Sequence, residues 1–172
     1  MAEGLLRRSL SEMGVDALVS SAGLEADGWE PTHEAVAVMN ARAISIAEHI
    51  SRKLTEEIVS GADLIIAMEP RHVIAAVEFC EDAWSKSFTL RELANRAERI
   101  GPRASDATPL EWIAKVSKDR ARTEMLGDPE PLTVADPYGK DLAEYRETAI
   151  DIASELSRVI KMLWPGVSTP NS

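Results

Sequence analysis

Apolar residues Ala2, Leu5, Leu6, Leu10 and Met13 recur at helical spacing, so the chain is predicted to open in a helix that ends near Gly14. Val15 to Ser20 (V-D-A-L-V-S) then reads as a strand, stopped by the small-residue turn Ser21-Ala22-Gly23. A loop from Leu24 to Pro31 carries Trp29. Thr32 and Thr55 are placed to cap two further helices, the second with Glu56 and Glu57 in its first turn, where negative charge is favourable. Ala62 to Met68 is a nearly continuous apolar run, as expected of a strand buried on both faces of a parallel sheet.

Helical spacing resumes after Pro70 through Val73, Ile74 and Val77, and again through Leu90, Leu93, Ala94, Ala97 and Ile100, with Ser87-Phe88-Thr89 as a short strand between them. Thr108-Pro109-Leu110-Glu111 combines a capping box with proline at the first helical position. A proline-rich stretch then leads to a long helix opening at Asp141 and repeating Leu142, Tyr145, Ala149, Ile152, Leu156, Val159 and Leu163 before Pro165 stops it. This alternation predicts an α/β fold, a doubly wound parallel sheet with helices on both faces. The opening helix occupies the place of a crossover, yet no strand precedes it. One domain is expected over residues 1–164, with residues 165–172 a disordered tail.

Composition narrows the partners. Twenty-nine acidic and 19 basic residues give a formal charge of −10, which argues against nucleic acid or an anionic membrane surface as the main partner. It leaves an anionic small substrate open, because backbone N–H groups can bind phosphate within an acidic protein. No apolar run approaches the roughly 20 residues of a membrane span. The single cysteine, Cys80, excludes an internal disulfide and suits a reducing compartment, so a cytoplasmic location is expected. His33 and His72 form no metal-ligand pattern, and no cofactor is expected.

Five segments in order carry a resemblance: Met1-Ala2-Glu3-Gly4-Leu5-Leu6-Arg7, Ser20-Ser21-Ala22-Gly23, His49-Ile50-Ser51-Arg52-Lys53-Leu54-Thr55, Ala62 to Met68, and Asp136-Pro137-Tyr138-Gly139. Together they resemble the low-molecular-weight protein tyrosine phosphatases, over about Met1 to Pro165. The resemblance implies hydrolysis of phosphotyrosine, or of phosphoarginine, on a partner protein through a phosphocysteine. In such enzymes a Cys-x5-Arg-(Ser/Thr) loop between the first strand and first helix supplies the thiolate and the phosphate cradle. An Asp-Pro-Tyr aspartate protonates the leaving group and then activates water.

By the same resemblance Asp136 is the general acid, and Tyr138 flanks the pocket mouth. Gly139 stands where some members have a second tyrosine. Trp29 lies a residue out of register with the aromatic that shapes substrate choice. Ser21 and His49 match positions that hold the phosphate loop. That loop and its strand are absent from the sequence. Cys80 is a poor substitute: Glu78, Glu81 and Asp82 surround it, and acidic neighbours disfavour a thiolate and repel phosphate. Related arsenate reductases use further cysteines that the chain lacks.

The chain as it stands is therefore expected to be inactive, with the start codon set at an internal methionine or the gene truncated. Energetics favours the former: a central strand burying about five apolar side chains is worth roughly 8–15 kcal/mol before entropy, comparable to the about 5–15 kcal/mol net stability of a domain. No repair is visible, and Gly4 weakens what reads as an exposed opening helix. The alternative is a catalytically dead module that binds a phosphoprotein or partner, which needs a basic residue near Asp136. The sequence leaves the oligomeric state open.

Overall fold

A computed structural model describes residues 1–25, 27–127 and 130–166. Its elements are α1 (Ala2–Glu12), α2 (His33–Asn40), α3 (Glu56–Gly61), β1 (Ile65–Ala67), α4 (Pro70–Phe79), β2 (Ser87–Thr89), α5 (Leu90–Ile100), α6 (Pro109–Ser117) and α7 (Leu142–Leu163), with short 3-10 turns between them. The predicted tail falls mainly on residues 167–172, which lie outside the described residues.

The described residues form two compact units, one within residues 1–53, 135–154 and 166, the other within 54–134 and 155–165. In the first, Ala35 and Val38 of α2 pack with Tyr145 and Ala149 of α7, and Met1, Ile46 and Leu142 close around them. Thr32 serves this core twice. Its hydroxyl oxygen accepts the Ala35 N–H at 3.2 Å, capping α2, while its O–H reaches the Tyr145 hydroxyl at 3.0 Å. Arg8 of α1 donates to the carbonyls of Arg42 and Ala43 at 2.9 and 3.0 Å, tying α1 to the turn after α2.

Gly4 belongs to this packing and corrects the expectation of an exposed opening helix. A Cβ there would lie 3.0 Å from Ile44 Cγ2 and 3.2 Å from Met39 Cε. Glycine lets the segment after α2 approach α1 closely, at a cost in helix propensity of about 1 kcal/mol.

The second unit holds the sheet. β1 and β2 pair in parallel, with Ile65 opposite Ser87, Ile66 opposite Phe88 and Ala67 opposite Thr89, and α4 is their crossover. β2 is buried throughout, and Thr89 also caps α5 by accepting the Glu92 N–H at 3.2 Å. Ala62 to Met68 corrects in two ways: only Ile65–Ala67 forms a strand, and Ile65 and Ile66 are half-buried instead of enclosed on both faces.

Arg120 anchors this unit. Its side chain is fully buried, bonded to Glu92 at 2.7 and 2.9 Å and to the carbonyls of Trp84 and Ser87, and it lies between the rings of Trp84 (3.9 Å) and Phe88 (4.1 Å). Each of the three guanidinium nitrogens thus finds at least one acceptor, the condition under which a buried charge is tolerated.

Val15 to Ser20 is the largest correction. Among the described residues it forms no ladder, and Leu18 at its centre is 99% exposed. Its residue types favour a strand, but a strand also needs a partner edge, which local composition cannot supply. The described sheet therefore has two strands where three were predicted.

Candidate functional site

Ser21, His49 and Arg7 converge on one carboxylate, Glu3 in the first turn of α1. Ser21 Oγ donates to Glu3 Oε2, Arg7 Nη2 contacts Glu3 Oε1 at 2.5 Å, and His49 Nδ1 lies 3.8 Å from Glu3 Oε2. Arg7 also donates to the Val19 carbonyl at 2.7 Å, securing the entry to the Ser21 turn. Burial alone would raise the Glu3 pKa. The Ser21 hydroxyl and the positive charges of Arg7 and His49 outweigh that, and hold it below the ordinary glutamate value. Sequence reasoning identified Ser21 and His49 but missed Glu3, the group that joins them.

The loop bearing Ser21 and Trp29 is pinned by residues 51–53. Gly23 N–H donates to the Arg52 carbonyl at 2.9 Å, and Arg52 Nε donates to the Ser21 carbonyl at 2.8 Å. Gly28 N–H donates to the Ser51 carbonyl at 2.8 Å. Ser51 N–H donates to the Trp29 carbonyl, and Trp29 N–H to Ser51 Oγ, both at 2.9 Å. The Trp29 indole remains 61% exposed. Neither Ser51 nor Arg52 was singled out from sequence, although both lie within the segment carrying the resemblance.

Asp136 sits in a turn ahead of α7. Its Oδ1 accepts the Tyr138 N–H at 3.0 Å, an Asx turn, and Lys140 N–H donates to the Pro137 carbonyl at 2.9 Å. Gly139 adopts φ +75°, which L-residues rarely do, so glycine at this position serves the turn. Asp141 then opens α7 by accepting the N–H groups of Ala143 and Glu144 at 2.8 and 3.1 Å. Asp136 and Tyr138 are exposed, Tyr138 by 65%. A shallow cavity of about 390 Å³ beside them is lined by Asp136, Lys140, Glu144, Glu147, Thr148 and Asp151 among others. Among the described lining residues Lys140 is the one basic side chain, and sequence reasoning overlooked it.

An exposed carboxylate held by its own turn, beside an open cavity, can deliver a proton to a leaving group and take one from water. Cys80 offers no matching nucleophile. It closes α4, its N–H bonded to the Ala76 carbonyl at 3.1 Å, with Val59, Ala76 and Ala83 packed alongside. The carbonyl end of a helix is the wrong end to hold an anion. Among the described residues no group of three His, Cys, Asp or Glu side chains could hold a metal ion, and no helix is long and apolar enough to cross a membrane.

The fold is of the α/β class, helices packed with a parallel sheet. The low molecular weight phosphotyrosine protein phosphatase family matches residues 1–102, and the chain belongs to that family. It is 36% identical over 165 residues to the protein-arginine-phosphatase of Bacillus subtilis, covering 95% of this chain and 87% of that one. A probable low molecular weight protein-tyrosine-phosphatase of Ralstonia nicotianae is 44% identical over 70 residues, and there the match spans 40% of this chain and 46% of the relative. The crystal structure of a low molecular weight protein tyrosine phosphatase from T. tengcongensis superposes with a TM-score of 0.63 at 26% identity, over 93% of this chain and 87% of that one.

Proposed function

We propose that these 172 residues supply the general-acid turn and the loop-holding cluster of a cytoplasmic protein phosphatase acting on phosphotyrosine or phosphoarginine. The observation that carries this reading is the Asp136 turn, which presents an exposed carboxylate beside a cavity at the start of α7. Asp136 protonates the departing oxygen or nitrogen, then accepts a proton from the water that attacks the phosphoenzyme. Tyr138 and Trp29 border the substrate. Ser21 and His49, gathered on Glu3, hold the phosphate loop.

The nucleophile belongs to a Cys-x5-Arg-(Ser/Thr) loop that the 172 residues do not contain. Their one cysteine, Cys80, has Lys86 where that pattern requires arginine. The chain by itself is accordingly inactive. The test uses the chain joined to such a strand and loop ahead of Met1. Asp136→Asn should lower kcat by about 10²–10⁴-fold for a phosphate ester with a poor leaving group, and much less for p-nitrophenyl phosphate, whose leaving group needs little protonation. Equal losses on both substrates would remove Asp136 from the acid role.

A second reading, a phosphoprotein-binding module without catalysis, gains from Lys140, the basic residue it requires near Asp136. Four carboxylates in the same cavity weigh against it. Saturable phosphopeptide binding by the 172-residue chain, abolished by Lys140→Ala, would favour it.

A further inference from the structure

Two consecutive residues hold both ends of the loop that carries Ser21 and Trp29. Arg52 takes the leading end, with its carbonyl accepting Gly23 N–H at 2.9 Å and its guanidinium donating to the Ser21 carbonyl at 2.8 Å. Ser51 takes the trailing end with its N–H, carbonyl and hydroxyl together, accepting from Gly28 at 2.8 Å and exchanging two bonds of 2.9 Å with Trp29. Gly23 and Lys53 complete the arrangement as a parallel bridge. A large indole left 61% exposed has little burial to fix its place. The bonds to Ser51 hold the Trp29 backbone, the point from which the indole projects.

We infer that Ser51 and Arg52 act as one positioning clamp, which sets Trp29 relative to Ser21 so that the indole meets the substrate side chain at a fixed distance from the phosphate loop. The inference rests on the phosphatase reading above for what the indole faces. Adjacent residues share backbone torsions, so a segment loosened at one end of the loop also opens more readily at the other. Ser51 and Arg52 touch no reacting atom; they act through Trp29 and Ser21. The clamp assigns the Ser51 hydroxyl a task that alanine cannot perform and threonine can.

The test is residue-resolved amide hydrogen exchange on the 172-residue chain, read at Gly23, Gly28, Trp29 and Ser51. Ser51→Ala removes only the acceptor for Trp29 N–H, and Arg52→Ala only the donor to the Ser21 carbonyl. Each variant should raise exchange at both ends of the loop by about fivefold, the loss expected for one hydrogen bond. Amides of α5 should be unaffected. Ser51→Thr should restore protection, and the Trp29 resonance of 5-fluorotryptophan-labelled protein should shift in Ser51→Ala and return in Ser51→Thr. Loosening confined to the end that was mutated would overturn the clamp, as would failure of threonine to restore protection or an equal rise across α5. None of these readings uses turnover. An inactive completed enzyme with coupled loop ends would refute the phosphatase reading alone, and an active one with uncoupled ends would refute the clamp alone.

Discussion

Ser21 donates its hydroxyl hydrogen to Glu3, so a serine in the first turn after Val15 to Ser20 is bound to a carboxylate in the opening turn of α1. Arg7 and His49 approach the same carboxylate, and the ionised form of Glu3 is the one they favour.

Because the Glu3 pKa is lowered on folding, its contribution to stability is complete above the ordinary value of 4.5 and fades as pH falls through the lower folded value. Glu3→Gln should therefore lower the urea midpoint at pH 7, and the gap from the parent chain should close as pH drops below 4.5. A gap that stays constant from pH 7 to pH 3 would show that the cluster does not depend on the Glu3 charge.

Arg120 and Glu92 form a buried pair with side chains 0% and 5% exposed. Arg120→Met should cost about 3–5 kcal/mol in equilibrium denaturation, because the buried Glu92 carboxylate loses the guanidinium bonded to both its oxygens. Replacing both, Arg120→Met with Glu92→Leu, should recover most of that loss, since the uncompensated charge is gone. A double variant no more stable than the single one would place the cost in the stacking on Trp84 and Phe88 instead.

Gly4→Ala separates helix propensity from packing. Propensity alone predicts a gain of about 1 kcal/mol. Contacts of 3.0 Å to Ile44 Cγ2, 3.2 Å to Met39 Cε and 3.3 Å to Ile46 Cγ2 predict the opposite, a net loss of about 1 kcal/mol. Thermal unfolding of the two chains decides the sign.

The helices are legible in the sequence because their signals are local. Thr108 and Glu111 announce α6 three residues apart in the chain, and both bonds of the capping box form, at 2.7 and 3.2 Å. Asp141 announces α7 in the same way. Val15 to Ser20 is misread because its residue types are local but a ladder is not. Gly4 is misread because its neighbours, Ile44 and Met39, come from another part of the chain. At the candidate site, Ser21, His49 and Asp136 are legible only through a family resemblance. Arg7 beside Glu3 and Lys140 beside Asp136 lie four residues away and were legible but overlooked, whereas Ser21 and His49 reach Glu3 only through folding.

The most direct measurement is turnover of p-nitrophenyl phosphate and of a phosphoarginine peptide by two proteins, the 172-residue chain and the same chain preceded by a strand and a Cys-x5-Arg-(Ser/Thr) loop. The expected result is no turnover above buffer for the first. For the second, hydrolysis of at least one substrate should occur, and peptide turnover should fall about 10²–10⁴-fold in Asp136→Asn if that substrate is used. Turnover of either substrate by the 172-residue chain would contradict the need for the loop, and a completed chain that hydrolyses neither substrate would contradict the phosphatase reading itself.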